Sequence, residues 1–185
     1  MNRMGLVKVH MLLATFMFPA ALMFLITGAL YTWSVKGSYA TEQIELTLVA
    51  PLEADQDMLV DIVTNELDAR SIAYPTGQPK VKKGGTSYKL EWTGSQRDVV
   101  LEPTDDPLVA SLSVKETTWY RNLVQLHKAK GGSVFKVYAA ALAIALFVIL
   151  FSGFILSFQV PALKKQAVIA TIAGAVFFVA MVLVS

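Results

Sequence analysis

Residues 8–36 read KVHMLLATFMFPAALMFLITGALYTWSVK, with no Asp, Glu, Lys or Arg between Lys8 and Lys36. A helix that crosses a bilayer needs about 20 consecutive, mostly apolar residues, and this stretch supplies them. The pattern recurs twice. No charged residue occurs between Lys136 and Lys164, and none from Gln166 to the C-terminal Ser185. With a mean hydropathy of +0.53 over 185 residues, the chain reads as a membrane protein with three transmembrane helices, at 11–33, 137–158 and 167–184. A cleaved signal peptide is the alternative for the first, but its apolar run exceeds the usual 7–15-residue core. Pro19, Phe16 and Phe18 fit a retained anchor better, and Tyr31 and Trp33 fall where interfacial aromatic residues belong.

Charge sets the expected orientation. All 14 acidic residues lie from Glu42 to Glu116. The tail 1–10 carries Arg3 and Lys8, and the connection 159–166, QVPALKKQ, carries Lys164 and Lys165, with no acid in either. Short basic segments stay in the cytoplasm. Both agree if the N-terminus is inside, which puts residues 34–116 outside. In a bacterium that means the inner membrane, with the central domain in the periplasm. There is no cysteine, so disulfides and thiolate metal sites are excluded. A net charge of +2 gives no reason to expect a nucleic-acid partner.

The external segment reads as a small α+β domain. IELTL (44–48) alternates apolar and polar residues as a half-buried strand does, and Pro51 ends it. In ADQDMLVDIVTNELDARS (54–71), Met58, Leu59, Ile62, Val63 and Leu67 recur at helical steps, and Asp55 and Asp57 suit the start of the helix dipole. AYPTGQP (73–79) is a loop. VKKGGTSYKLEW (81–92) reads as a hairpin turning at Gly84-Gly85, with Tyr88, Leu90 and Trp92 on one face. RDVVLEP (97–103) is a third strand. LVASLSV (108–114) is a fourth, with Leu108, Ala110, Leu112 and Val114 on one face. A strand, a helix and a meander of strands predict one helix packed on an antiparallel sheet.

Residues 117–132 are helical by pattern, with Trp119, Leu123 and Leu126 as an apolar stripe and a break at Gly131-Gly132. They read either as an amphipathic helix on the membrane surface or as the first turns of the second span. Gly28, Gly153 and Gly174 sit among small residues, as close helix packing favours.

Catalytic signatures are missing: there is no HExxH, GxSxG, P-loop or GxGxxG. No charged residue lies inside a span, which argues against a proton-driven transporter. The acids Asp55, Asp57 and Asp61 read as a solvated helix start, and Asp105 and Asp106 as a turn. The two histidines, His10 and His127, each stand in a basic patch ahead of an apolar run. They are either interfacial rings or haem ligands. With the N-terminus inside they lie at opposite membrane faces, roughly 35 Å apart along a helix, so one b-type haem cannot bridge them within a chain. As ligands, each would need a partner histidine from another copy or another subunit.

Taken together, VKVHMLLATFMFPAALMFLITGALYTW (7–33), the helix-then-meander domain with YKLEWTGSQRDVVLEP (88–103), and LHKAKGGSVFKVYAAALAIALFVILFSGFIL (126–156) resemble the PepSY-associated transmembrane family of bacterial inner-membrane proteins. The resemblance implies an extracytoplasmic PepSY-like binding or inhibitory module. In a branch of larger members it implies membrane histidines, placed like His10 and His127, that bind b-type haem and carry electrons for iron or siderophore reduction. Those members have more helices, two such domains and further histidines. The expectation is therefore a non-enzymatic accessory protein that contacts membrane lipid and either a protein partner or its own copies. A haem-binding electron-transfer subunit is the alternative.

Overall fold

The computed structural model describes residues 3–84 and 87–185. Among these described residues, three helices are long and apolar enough to cross a membrane: α1 (Arg3–Thr32), α4 (Gly132–Gln159) and α5 (Pro161–Val184). Between the first two lie β1 (Tyr39–Thr47), α2 (Gln56–Ala69), β2 (Pro79–Gly84), β3 (Ser87–Thr93), β4 (Arg97–Pro103), β5 (Val109–Thr117) and α3 (Trp119–His127). The chain forms two compact units. One comprises the residues up to Ala21 with Ala141–Ser185, the other Leu22–Ala140.

The helices begin earlier than their apolar runs. α1 starts at Arg3 and so takes in the described part of the expected tail, because nothing in RMGLVKVH breaks a helix. α5 starts at Pro161, a residue preorganised for the first helical turn. Lys164 and Lys165 are therefore helical, and only Val160 separates α4 from α5.

The sheet is antiparallel throughout, in the order β1-β5-β4-β3-β2. β2 to β5 form the expected meander. β1 pairs with β5 over nine positions, from Tyr39 opposite Thr117 to Thr47 opposite Val109. The register aligns Ile44, Leu112, Leu101, Leu90 and Val81 in one row across all five strands. α2 lays Leu59, Val63 and Leu67, all fully buried, into the core that this row helps to form. Each such side chain contributes roughly 1.5–3 kcal/mol of burial. Asp55 caps α2, its carboxylate accepting from the N–H groups of Asp57 and Met58. Strand alternation sends Lys89, Glu91 and Glu102 to the opposite face, where Lys89 Nζ lies 3.4 Å from Glu91 and 3.1 Å from Glu102.

Two expectations need adjustment, and a third lies partly outside the described residues. The hairpin turn at Gly84-Gly85 falls partly outside the described residues, although Gly84 does pair with Ser87. Leu108 precedes β5 and is 45% exposed, because its N–H is held in the turn by Asp106 Oδ1 at 2.9 Å. The inward face of α3 is not the Trp119, Leu123, Leu126 stripe. Trp119 is 79% exposed, and the buried residues are Val124 and Gln125. A buried hydrogen bond from Gln125 to the sheet, described below, decides which way this helix turns.

Candidate functional site

Within the unit built from the two chain ends, His10 of α1 places Nδ1 2.8 Å from Ser152 Oγ of α4. Its Cε1 would lie 3.3 Å from a Cβ on Gly153. Within the other unit, His127 at the end of α3 places Nδ1 2.8 Å from Thr27 Oγ1 of α1. Its Cε1 would lie 3.1 Å from a Cβ on Gly28. The two arrangements are alike: a hydroxyl residue followed by glycine receives an imidazole from elsewhere in the chain. The hydroxyl anchors the ring, and the glycine removes the Cβ that would press on it. Phe24 flanks His127, with ring centroids 4.9 Å apart.

Each hydroxyl is also tied to its own helix. Thr27 Oγ1 donates to the Met23 carbonyl at 2.6 Å, and Ser152 Oγ donates to the Ile149 carbonyl at 3.0 Å. Their protons are thereby engaged. This assigns the ring proton to Nδ1, which donates to the hydroxyl oxygen, and leaves Nε2 as the lone-pair nitrogen. Neither Nε2 has a hydrogen-bond partner among the described residues. The two histidines lie in different compact units, and each is satisfied inside its own.

A second cluster was not visible in the sequence. Asp98, 7% exposed, sits on β4 and faces away from α2. Its carboxylate accepts from the Gly94 N–H (3.1 Å), Tyr39 Oη (3.0 Å), Gln125 Nε2 (3.1 Å) and Lys130 Nζ (3.3 Å). Tyr39 Oη in turn accepts from Arg121 (2.8 Å) and Gln125 (3.0 Å). Burial, and then the Asp98 charge, hold the Tyr39 phenol above its ordinary value, against the opposing pull of Arg121. It therefore stays protonated and donates to Asp98. Gln125 is fully buried, and its Oε1 has no partner among the described residues. In sequence, Asp98 was only one residue of the strand RDVVLEP, and nothing there set it apart from Glu102.

Comparison with family models, curated proteins and solved structures finds no match to this chain. Its function therefore rests on its own surfaces. Among the described residues, no group of three or more His, Asp or Glu side chains is arranged to hold a metal ion.

Three concavities stand out. A groove of about 500 Å³ runs between β1 and α2, walled by Leu46, Leu48, Val49, Met58 and Ile62. Val49 there is completely exposed. A cleft of about 880 Å³ opens beside Leu52, Tyr88, Lys89 and Glu102. A pocket of about 510 Å³ lies beside Gly28, Tyr31, Thr32, Val124 and Lys128.

Proposed function

We propose that this chain is a non-enzymatic bacterial inner-membrane protein of the PepSY-associated kind. Its sheet domain faces the periplasm and binds a segment of a protein partner. The open edge of β1 carries this reading. β1 is an end strand, paired among the described residues only with β5, and natural sheets normally protect so long an edge. The opposite edge, β2, carries Lys80, Lys82 and Lys83, the charges that discourage strand addition. β1 carries no lysine, though it holds the exposed acids Glu42 and Glu45, and it borders the apolar groove through Leu46. An extended peptide added there would gain main-chain hydrogen bonds from the edge and set alternate side chains against Leu46, Leu48 and Ile62. Orientation rests on the basic, acid-free cytoplasmic segments around Lys8 and around Lys164-Lys165. α5, with no buried residue, leaves a whole helix surface for lipid or for a further subunit.

The test is in-cell photocrosslinking of the full chain from Val49, with a second probe at Lys83 on the other edge. A discrete protein adduct from Val49, absent from Lys83 and lost on Met58→Lys, supports the reading. No adduct from Val49, or equal adducts from both probes, overturns it.

A second reading is favoured by the histidine geometry. A ring held through Nδ1–H with a free Nε2 is the form in which imidazole ligates iron. His10 and His127 would each hold a b-type haem through Nε2, and each unit supplies one such ring, so a second ligand would come from another copy or subunit. Bound haem would supply one-electron chemistry for iron or siderophore reduction, while the chain's part is to hold the two imidazoles through Ser152 and Thr27. A reduced-minus-oxidised spectrum of protein from haem-replete cells decides it. A colourless protein sinks this reading, and bands lost in His10→Ala and His127→Ala support it.

A further inference from the structure

We infer that the pocket beside Tyr31 is a binding site for the phosphate headgroup of an anionic phospholipid. The inference requires α1 to span a membrane and is independent of the peptide-binding reading. Two ammonium groups converge on one ring: Lys36 Nζ lies 5.2 Å and Lys128 Nζ 5.9 Å from the Tyr31 centroid. The cation–π contacts hold both lysines at the same place. They do not neutralise them. Neither lysine has a carboxylate partner among the described residues, whereas Lys82, Lys89 and Lys130 all have one. Lys128 lines the pocket and no acid does, while Lys36 reaches the Tyr31 ring without being part of that lining, so two positive charges meet at one ring beside a concavity with no acid in its wall.

The remaining walls fit a lipid better than a free ion. Gly28, Val124 and the Tyr31 ring give the pocket an apolar side that an acyl chain or glycerol backbone can cover. The Tyr31 hydroxyl has no hydrogen-bond partner among the described residues and is free to donate. Tyr31 is followed by Trp33, 83% exposed, at the end of an apolar helix where headgroups are expected. A phosphodiester oxygen placed at the ring edge would take hydrogen bonds from the Tyr31 hydroxyl and from both lysines, with its acyl chains lying along α1. Lysines near an anionic surface favour anionic headgroups, and the pair should set a preference on the order of tenfold.

The test is native mass spectrometry of the full chain released from detergent containing equal phosphatidylglycerol and phosphatidylcholine. Wild type is expected to retain phosphatidylglycerol roughly tenfold over phosphatidylcholine. Lys36→Gln/Lys128→Gln should bring the ratio near unity, and Tyr31→Phe should lower it by a smaller factor. Lys80→Gln/Lys83→Gln, which removes the same charge from the β2 edge, should leave it unchanged. All four lysines are on the surface, so these variants keep the fold. A ratio that survives Lys36→Gln/Lys128→Gln, or that falls equally in the β2-edge control, overturns the inference. Displacement of the lipid by millimolar inorganic phosphate would assign the site to free phosphate and overturn the headgroup. Retention in its presence supports the headgroup.

Discussion

His127 Nδ1 lies 2.8 Å from Thr27 Oγ1, a hydrogen bond between residues 100 positions apart in the chain. Thr27 is 2% exposed. The bond ties the end of α3 to the C-terminal part of α1. Interhelical bonds of this kind in membrane proteins average about 0.6 kcal/mol and reach roughly 1.7. A double-mutant cycle with Thr27→Val and His127→Ala, read by unfolding in detergent, should give a coupling in that range. Additivity of the two single changes would show the contact to be energetically silent.

Glycine at 28 and 153 keeps each imidazole in place. A Cβ on Gly28 would stand 3.1 Å from the His127 ring, and one on Gly153 3.3 Å from the His10 ring. Both rings are pinned at Nδ1 and have little room to give. Gly28→Val and Gly153→Val should each destabilise by about 1–3 kcal/mol, with Gly28 the more sensitive. Midpoints of thermal unfolding in one detergent would check the order.

The α2 face and the α3 face should respond in opposite ways. Leu67→Ala removes a fully buried side chain from the sheet core and should cost about 2–5 kcal/mol. Trp119→Ala, at the most exposed position of α3, should leave the unfolding midpoint within the error of the measurement. A large loss from Trp119→Ala would mean that the residue is buried against something else in the assembled protein.

Asp98 should be sensitive even to isosteric change. It gathers four donors in a nearly buried position. Asp98→Asn keeps its shape but removes the charge that Lys130 and Tyr39 face. Losing charge-assisted bonds of this sort costs about 1.5–3 kcal/mol. Denaturant unfolding followed by a probe in the sheet domain would measure it.

Two groups outside the membrane helices predict limbs of the pH–stability curve. Hydrogen bonding from Lys82, chiefly, holds the Glu91 carboxyl below its ordinary 4.5, against some burial. A lowered folded-state value means that stability present above pH 4.5 is lost as pH falls through the lowered value. Tyr39 is raised above its ordinary 10.0. Its stabilisation is therefore full below pH 10.0 and is lost as pH rises through the raised value. Glu91→Gln should flatten the acid limb only, and Tyr39→Phe the alkaline limb only. The same slopes in the variants as in wild type would refute these assignments.

Much of the architecture was legible because it is written in local patterns. The three charge-free windows that became α1, α4 and α5 needed only composition. The four-residue spacing of Leu59, Val63 and Leu67 named the face of α2 that the sheet buries. Alternation named Leu90 and Trp92, and likewise Ala110, Leu112 and Val114. α3 failed that method. Its hydrophobic stripe pointed to Trp119, but the buried residues are Val124 and a glutamine, Gln125. Hydropathy ranks Gln125 as solvent-facing, and it cannot register a carboxylate such as Asp98 waiting on another strand.

The histidines show the same division. Their residue type, their basic neighbours and the Thr27-Gly28 and Ser152-Gly153 pairs were all plain in the chain. The sequence alone determined three apolar helices and an α+β segment between the first two, because hydrophobic burial and backbone periodicity act over a few neighbouring residues. Only the tertiary structure decided that His10 belongs with Ser152, that His127 belongs with Thr27, and that Gln125 turns inward to Asp98. Each is a directional hydrogen bond between residues distant in the chain. Such a bond depends on where the rest of the fold has already carried its two partners.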